Sequence, residues 1–509
     1  MKFTSTEKII VATFALVCFA LHFFVNLSGA YGFFRDELYY IACSDHLAWG
    51  YVDQPPFSLF LLKLSRLIFG DSLAAIRLIP ALTHSLTIVL AAMIVKEMNG
   101  KALAVFIACL TIMVSIIHLG MSAIYSMNSI DILIWAFSFY LILRIINTQE
   151  NRLWIWLGIV LGIGLLNKIS ILFLGSGIFV GFLLMDRKWF ATRWPYIAGL
   201  LAFVIFLPYI IWNLNHDLAH LEFIHNASAG KYSGRTRFDF IKEQLLYLNP
   251  LSAPIWLTGI VVLFFYKPLE KFRLLGWIFL TAFIILIVNR TSKGEYLSPA
   301  YIILFAAAGV FIEQAFTKPA LKWITYSYLF ILFICSILLL PVVLPILPVE
   351  EYIRYSEAIG NKPSSSENKE LSELPQFYAD MFGWKEKVRD VAKVYNSLSD
   401  EDKARCTIFS NNYGRNGALD FFGKEYGLPE TIGNHNNYVI WGPGNHTGDV
   451  MIILGGSMED HKNDFESITL AGVSDCKYCM PYENHVNIFI CRGLKYKLTD
   501  IWKEIKHYE

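Results

Sequence analysis

The sequence predicts a polytopic α-helical membrane protein with a small α/β domain at its carboxyl end, and three observations carry that prediction. Apolar runs of near-spanning length recur from residue 9 to about residue 348. Over the whole chain 55% of residues are hydrophobic and only 17% are charged, whereas a soluble domain averages about 25% charged. After about Glu350 the apolar runs give way to a polar stretch and then to short helical and strand patterns. A net charge of +1 gives no support for a nucleic-acid partner.

The first run, Ile9 to Leu27, follows Lys2 and Lys8. No obvious small-residue cleavage site separates it from the aromatic, acidic segment beyond, so it is expected to stay as the first span. Further runs lie at about 75–95, 101–118, 129–147, 153–167, 170–185, 196–213, 252–266, 274–289, 299–316 and 323–347. That makes about 11 transmembrane helices by the rule of roughly 20 apolar residues per span. Basic residues gather in alternate connections: Lys96 and Lys101, Arg144 and Arg152, Arg187 and Lys188, Lys267 and Lys271, Lys318 and Lys322. The positive-inside bias makes that side, with the amino terminus, cytoplasmic. The other connections, and everything after about Pro348, are expected on the outer face. This divides the chain into a membrane domain over 1–348 and an extracytoplasmic α/β domain over 349–509.

Within the second part, NKPSSSENKE reads as a linker or flexible loop. FGWKEKVRDVAKVYNSL has helical periodicity, and GRNGALDFFGKEYGLP is expected to be a helix closed by Gly427 and Pro429. CTIFS, NYVIW, DVMIILGG and HVNIFICRG read as strands. Of the eight cysteines, Cys476 and Cys479 form a CxxC. With an oxidising compartment expected and no second CxxC, a structural disulfide is favoured over a zinc site, without a pairing that spacing can assign.

The stretch around which the site is expected to form is Tyr31 to Phe57. It places Arg35, Asp36, Glu37, Asp45, His46 and Asp53 among aromatics at a membrane boundary, where acidic groups are costly unless solvated or paired. A solvated loop with helix-capping carboxylates is the plainer explanation. Two further polar residues interrupt apolar sequence at outer ends of spans: Asp131, at the start of SIDILIWAF, and Lys168, in GIGLLNKISILFLG. His216 and His220, one helical turn apart, are candidates for a divalent metal ion, although a polar interfacial helix explains them more simply.

Asp36-Glu37-x-Tyr39-Tyr40 and Gly50-Tyr51-x-Asp53-Gln54-Pro55-Pro56 resemble the bacterial dolichyl-phosphate-mannose protein mannosyltransferase-like family, which includes lipid A aminoarabinose transferases. The resemblance continues through Asn128 to Asp131, Asn167-Lys168, Lys293 to Pro299 with Tyr296, and FGW…NYGRNGALDFFG…WGPG. It implies a GT-C glycosyltransferase of the bacterial inner membrane. Such an enzyme takes a sugar from a polyprenyl-phosphate carrier and passes it to a lipid, glycan or protein acceptor on the outer face. It also implies that Asp36 is the catalytic residue. At Asp53-Gln54 the chain departs from the aminoarabinose branch, which has an acidic residue and then lysine. The chemistry gives the same residues roles. A carboxylate must take the acceptor proton, which suits Asp36 with Glu37 beside it, and cations must stabilise the leaving phosphate, which suits Lys168, Arg35 and Lys293. The alternative class, a transporter or flippase of lipid-linked sugars, tends to show internal repeats. None is found in the sequence.

Overall fold

The computed structural model describes residues 2–29, 31–365, 367 and 369–509; part of the expected linker therefore lies outside the described residues. Every expected apolar run is helical. Among the described residues seven helices are long and apolar enough to cross a membrane, or nine if each of two bent pairs is one span. One pair, Ala102–Met113 with Ile116–Ala123, bends by 55°, and the other, Arg237–Tyr247 with Pro250–Phe265, by 86°. Arg152–Asn167 and Ile171–Met185 are shorter. At 1.5 Å per residue each reaches only about 24 Å, against about 30 Å of hydrocarbon. The turn that joins them carries Lys168, which therefore lies at the end of two short helices.

Small residues bring the helices together where lipid offers no hydrophobic drive. A Cβ on Gly259, in the helix Ala253–Phe265, would lie 2.2 Å from the Leu304 carbonyl oxygen of the helix Tyr301–Ala315. Two separate sets of polar contacts tie the connections together. At one end of the bundle Lys96 meets Glu7 at 2.7 Å, the Lys101 backbone N–H donates to Glu313 and Lys271 donates to Asn147. At the other, Tyr125, Lys168, Tyr232 and Lys293 meet residues of the first connection, of one another and of the carboxyl-terminal lobe.

That lobe is built on five strands: β1 Cys406–Ser410, β2 Thr431–Gly433, β3 Val450–Leu454, β4 Phe465–Ser474 and β5 Val486–Leu494, in the order β2-β1-β3-β5-β4. β1 runs parallel to β2 and β3, with Ile408 opposite Ile452, and β5 lies antiparallel between β3 and β4, with Ile452 opposite Ile490. Trp384–Asn396 and Tyr413–Phe422 are helical as expected, and Gly427 closes the latter's 3-10 extension with a φ of 68°. NYVIW is a short helix, Asn437–Trp441, and not a strand. A five-residue apolar run has too little length for periodicity to separate the two; here Tyr438 packs on Trp441, and the Val439 carbonyl accepts from the Trp502 indole. All eight cysteines are thiols, so the expected disulfide is not formed. The Cys479 backbone N–H and thiol both point at Cys476, to its sulfur and to its carbonyl oxygen.

Candidate active site

The first connection folds as a helix, Arg35–Asp45, pressed against Tyr413–Phe422 of the lobe. Two glycines of GRNGALDFF allow this: a Cβ on Gly414 would meet the Arg35 side chain at 2.5 Å, and one on Gly417 the Leu38 backbone at 2.7 Å. The motif residues thus act as spacers between the membrane part and the lobe.

The three charges that open the helix have different surroundings. Arg35 is buried. It pairs with Asp36 at 3.3 Å, Glu367 at 3.3 Å and Asp380 at 3.6 Å, and donates to the Tyr482 hydroxyl at 2.8 Å. Glu37 is fully buried; Arg77 donates to both its oxygens, at 2.8 and 2.7 Å, and the backbone N–H groups of Phe34 and Tyr125 donate as well. That carboxylate is saturated, so the expectation of Glu37 as a second catalytic group gives way to an anchoring one. Asp36 keeps 31% of its side chain exposed. Its Oδ1 accepts from the Tyr413 hydroxyl at 2.9 Å and from Arg35, while Oδ2 has no hydrogen-bond partner among the described residues.

Around Asp36 stand two titratable carboxylates. Asp53 accepts from the Tyr39 hydroxyl at 3.0 Å; burial, opposed by that bond and aided by Asp36, pushes its pKa up to about 7. Burial also pushes Asp380 up to about 7, against the pull of Arg35. Glu367 behaves oppositely, since Arg35, Lys231 and Lys293 outweigh its burial and hold it well below the usual carboxylate range. Tyr39 also lies against the Tyr413 ring, 4.8 Å between centroids. Gln54 is buried, its amide oxygen accepting from Ser58 and its carbonyl from the Tyr51 backbone, which holds the turn, while its amide nitrogen has no partner among the described residues.

Tyr40, one turn beyond Asp36, places its hydroxyl 3.9 Å from the Met127 sulfur, and the next residue, Asn128, accepts from Lys168 at 2.6 Å. Lys168 lies 5.0 Å from the centre of the Tyr296 ring and has no ion pair within 4 Å among the described residues. Asp131 accepts from Ser170 at 2.9 Å and leaves its other oxygen buried and unpartnered beside that lysine. Lys293 sits 3.7 Å from Glu295 and 4.7 Å from the centre of the Tyr232 ring. Arg35, Asp36, Tyr39 and Asp53 are thus joined through Tyr413, and Lys168 stands with Asn128, Asp131 and Tyr296 beyond Tyr40 and Met127, whereas Asp45 pairs with Lys63 and Arg66, and His46 stacks on Trp441, away from both.

The metal candidates join neither group. His216 turns Nδ1 to the Trp212 carbonyl and stacks on that ring, and His220 turns Nδ1 to the Val52 carbonyl. Among the described residues neither belongs to a group of three clustered metal-ligating side chains.

A polar cavity of about 420 Å³ opens beside Arg35, lined by Lys231, Glu367, Tyr413, Arg415 and His435 among others. Lys231 is paired with Glu367 at 3.0 Å. Sequence reasoning missed Lys231, Glu367, Asp380 and Tyr413. Lys231 is a basic residue in a connection that the positive-inside bias expects outside, and Tyr413 stands inside the quoted lobe motif, so both carry a signal in the sequence. Glu367 lies in a Ser-rich stretch that composition reads only as linker.

The Asp53 shift has a stability consequence. The native state holds a proton that the unfolded chain releases near pH 3.8, so this group costs stability progressively as pH rises from there to about 7, and no further above. Asp53→Asn removes that slope. The variant's unfolding midpoint in detergent matches wild type in acid below the window and exceeds it above neutral pH. A variant that is less stable than wild type by the same margin at every pH contradicts this.

A polytopic helical bundle with this lobe is the GT-C fold, and the comparisons with known proteins agree. The ArnT crystal structure from Cupriavidus metallidurans with undecaprenyl phosphate bound superposes with a TM-score of 0.64 at 12% identity, covering 96% of this chain and 98% of that one. The apo form of the same protein gives 0.61 at 13% identity, covering 95% and 97%. Residues 53–212 match the family described as dolichyl-phosphate-mannose-protein mannosyltransferase. Lipid A galacturonosyltransferase RgtD of Rhizobium johnstonii is 22% identical over 271 residues, which is 52% of this chain and only 56% of that protein. The chain is thus similar to the dolichyl-phosphate-mannose-protein mannosyltransferase family over residues 53–212, and it shares its fold with the ArnT structures over nearly its whole length.

Proposed function

We propose that this protein moves a sugar from a polyprenyl-phosphate carrier to an acceptor hydroxyl on the outer face of a bacterial inner membrane, with Asp36 as general base. In that reaction the bond from the acceptor oxygen to the anomeric carbon forms as the bond to the phosphate oxygen breaks. The acceptor proton passes to Asp36, and the electron pair leaves on the carrier phosphate, whose charge grows by one. A base must reach its proton within hydrogen-bond distance. The observation that carries the reading is the free, partly exposed Oδ2 of Asp36, held in place through Oδ1. Lys168 is the candidate for the growing phosphate charge, because Arg35, Lys231 and Lys293 already face carboxylates. Tyr39, Tyr40, Asp53, Asp131 and Tyr296 complete the lining of the substrate path.

In this reading residues 1–348 form the catalytic membrane domain and 349–509 the extracytoplasmic lobe that roofs it, with the amino terminus cytoplasmic. The name of the Rhizobium relative favours a lipid A type of acceptor. Purified protein in detergent, given a panel of polyprenyl-phosphate sugars with lipid A, peptide or glycan acceptors, is expected to release free polyprenyl phosphate with one of them. In proteoliposomes, passage of unchanged lipid-linked sugar across the bilayer without release would instead identify a transporter.

A further inference from the structure

Away from this site, the helix Ser5–Ser28 turns two soft ligands inward one turn apart, Cys18 and His22, and the helix Leu78–Glu97 brings His84 against them. All three are buried, and one ligand atom from each lies within 4.8 Å of the others. His22 Nε2 and His84 Nδ1 are 3.0 Å apart and share a single proton at most. The remaining nitrogens, His22 Nδ1 and His84 Nε2, are buried with no partner. A bare histidine pair at hydrocarbon depth leaves polar groups unsatisfied, and intramembrane ionisable groups usually mark function.

We propose that Cys18, His22 and His84 bind a copper(I) ion. Thiolate and imidazole are the ligands that soft monovalent copper takes. Binding exchanges the thiol proton for the metal: the S–H bond breaks, an S–Cu bond forms and the proton leaves to solvent. No electron moves. Charge decides between metals, since copper(I) with one thiolate is neutral and fits an apolar core, whereas zinc(II) with the same ligands keeps a positive charge and wants a fourth donor. The ring of His118 has its centroid 6.3 Å from that of His84; its Nδ1 is engaged with Ser115 at 2.7 Å and its Nε2 is buried without a partner, but it lies outside the group whose ligand atoms cluster within 4.8 Å. Three-coordinate copper(I) needs no fourth ligand.

The test uses the full chain in detergent with Cys476→Ser and Cys479→Ser, because that CxxC would also take copper(I). Titrated without oxygen against a chromophoric copper(I) chelator, the protein is expected to retain one copper per chain, with an X-ray absorption spectrum showing one sulfur and two nitrogen scatterers. Cys18→Ser and His84→Phe are each expected to weaken retention by at least the roughly 10- to 100-fold that losing even an outer-shell partner costs, and Cys335→Ser to leave it unchanged. Should Cys18→Ser fail to fold, the scatterer count of the parent chain still decides. The proposal is overturned by a folded chain that retains no copper, by a spectrum without sulfur, by equal retention in Cys18→Ser, or by preference for zinc.

Discussion

Asp36→Asn is expected to lower the rate of polyprenyl-phosphate release by at least about 100-fold, in line with the roughly 10²- to 10⁴-fold contribution of a positioned general base. The substitution suits the question because asparagine keeps an oxygen where Oδ1 stands, so the bonds from Tyr413 and Arg35 are retained. Only the free oxygen, Oδ2, becomes an amide that takes no proton. Arg35 still has Glu367 and Asp380, so the junction between the first connection and the lobe stays paired. The loss should therefore fall on turnover under saturating donor and not on the unfolding midpoint. Asp53→Asn serves as the contrast. With a pKa near 7 that group is partly neutral at neutral pH already, so removing its charge should change the rate far less. Single-turnover release of polyprenyl phosphate measures both, and turnover like wild type in Asp36→Asn would remove this residue from the mechanism.

Much of the membrane part was legible because spanning a bilayer imposes a length and a polarity that any sequence must display. The helical runs follow from that constraint. The division of labour inside the first connection did not. In the sequence Asp36 and Glu37 are neighbouring acids of equal promise; what separates them is Arg77, 40 positions further on, which no local pattern points to. Gln54 and the His216/His220 pair show a related limit, since the Gln54 amide oxygen accepts from Ser58 and each histidine turns Nδ1 to a backbone carbonyl, neighbours that only the fold brings within reach. The strand expected at NYVIW shows the same limit at the level of secondary structure, where tertiary partners such as Trp502 choose the conformation of a short apolar run.

Breaking the Glu37–Arg77 pair should produce the largest loss of stability in the chain. The side chains are 0% and 1% exposed, and the pair makes two charge-assisted hydrogen bonds. Arg77→Met leaves a buried carboxylate with only backbone donors, and removing one partner of such a pair typically costs about 3–5 kcal/mol. Glu37→Gln leaves a buried guanidinium without its counter-charge: the amide oxygen keeps one bond, the amide nitrogen opposes the other, and the remaining bonds go to the Gly32 carbonyl at 3.1 Å and Asn26 at 3.4 Å. The double variant should be less damaged than the sum of the two singles, because neither charge is then stranded. Arg77 stands at the head of the helix Leu78–Glu97, and Glu37 caps the Phe34 backbone and accepts from Tyr125. The pair therefore pins the start of the Arg35–Asp45 helix to a spanning helix, and Asp36 is the next residue along. A fall in unfolding midpoint with activity lost in proportion to folded protein fits an anchor. If Glu37→Gln instead kept the wild-type midpoint and lost rate as Asp36→Asn does, Glu37 would return to the mechanism as a second catalytic carboxylate.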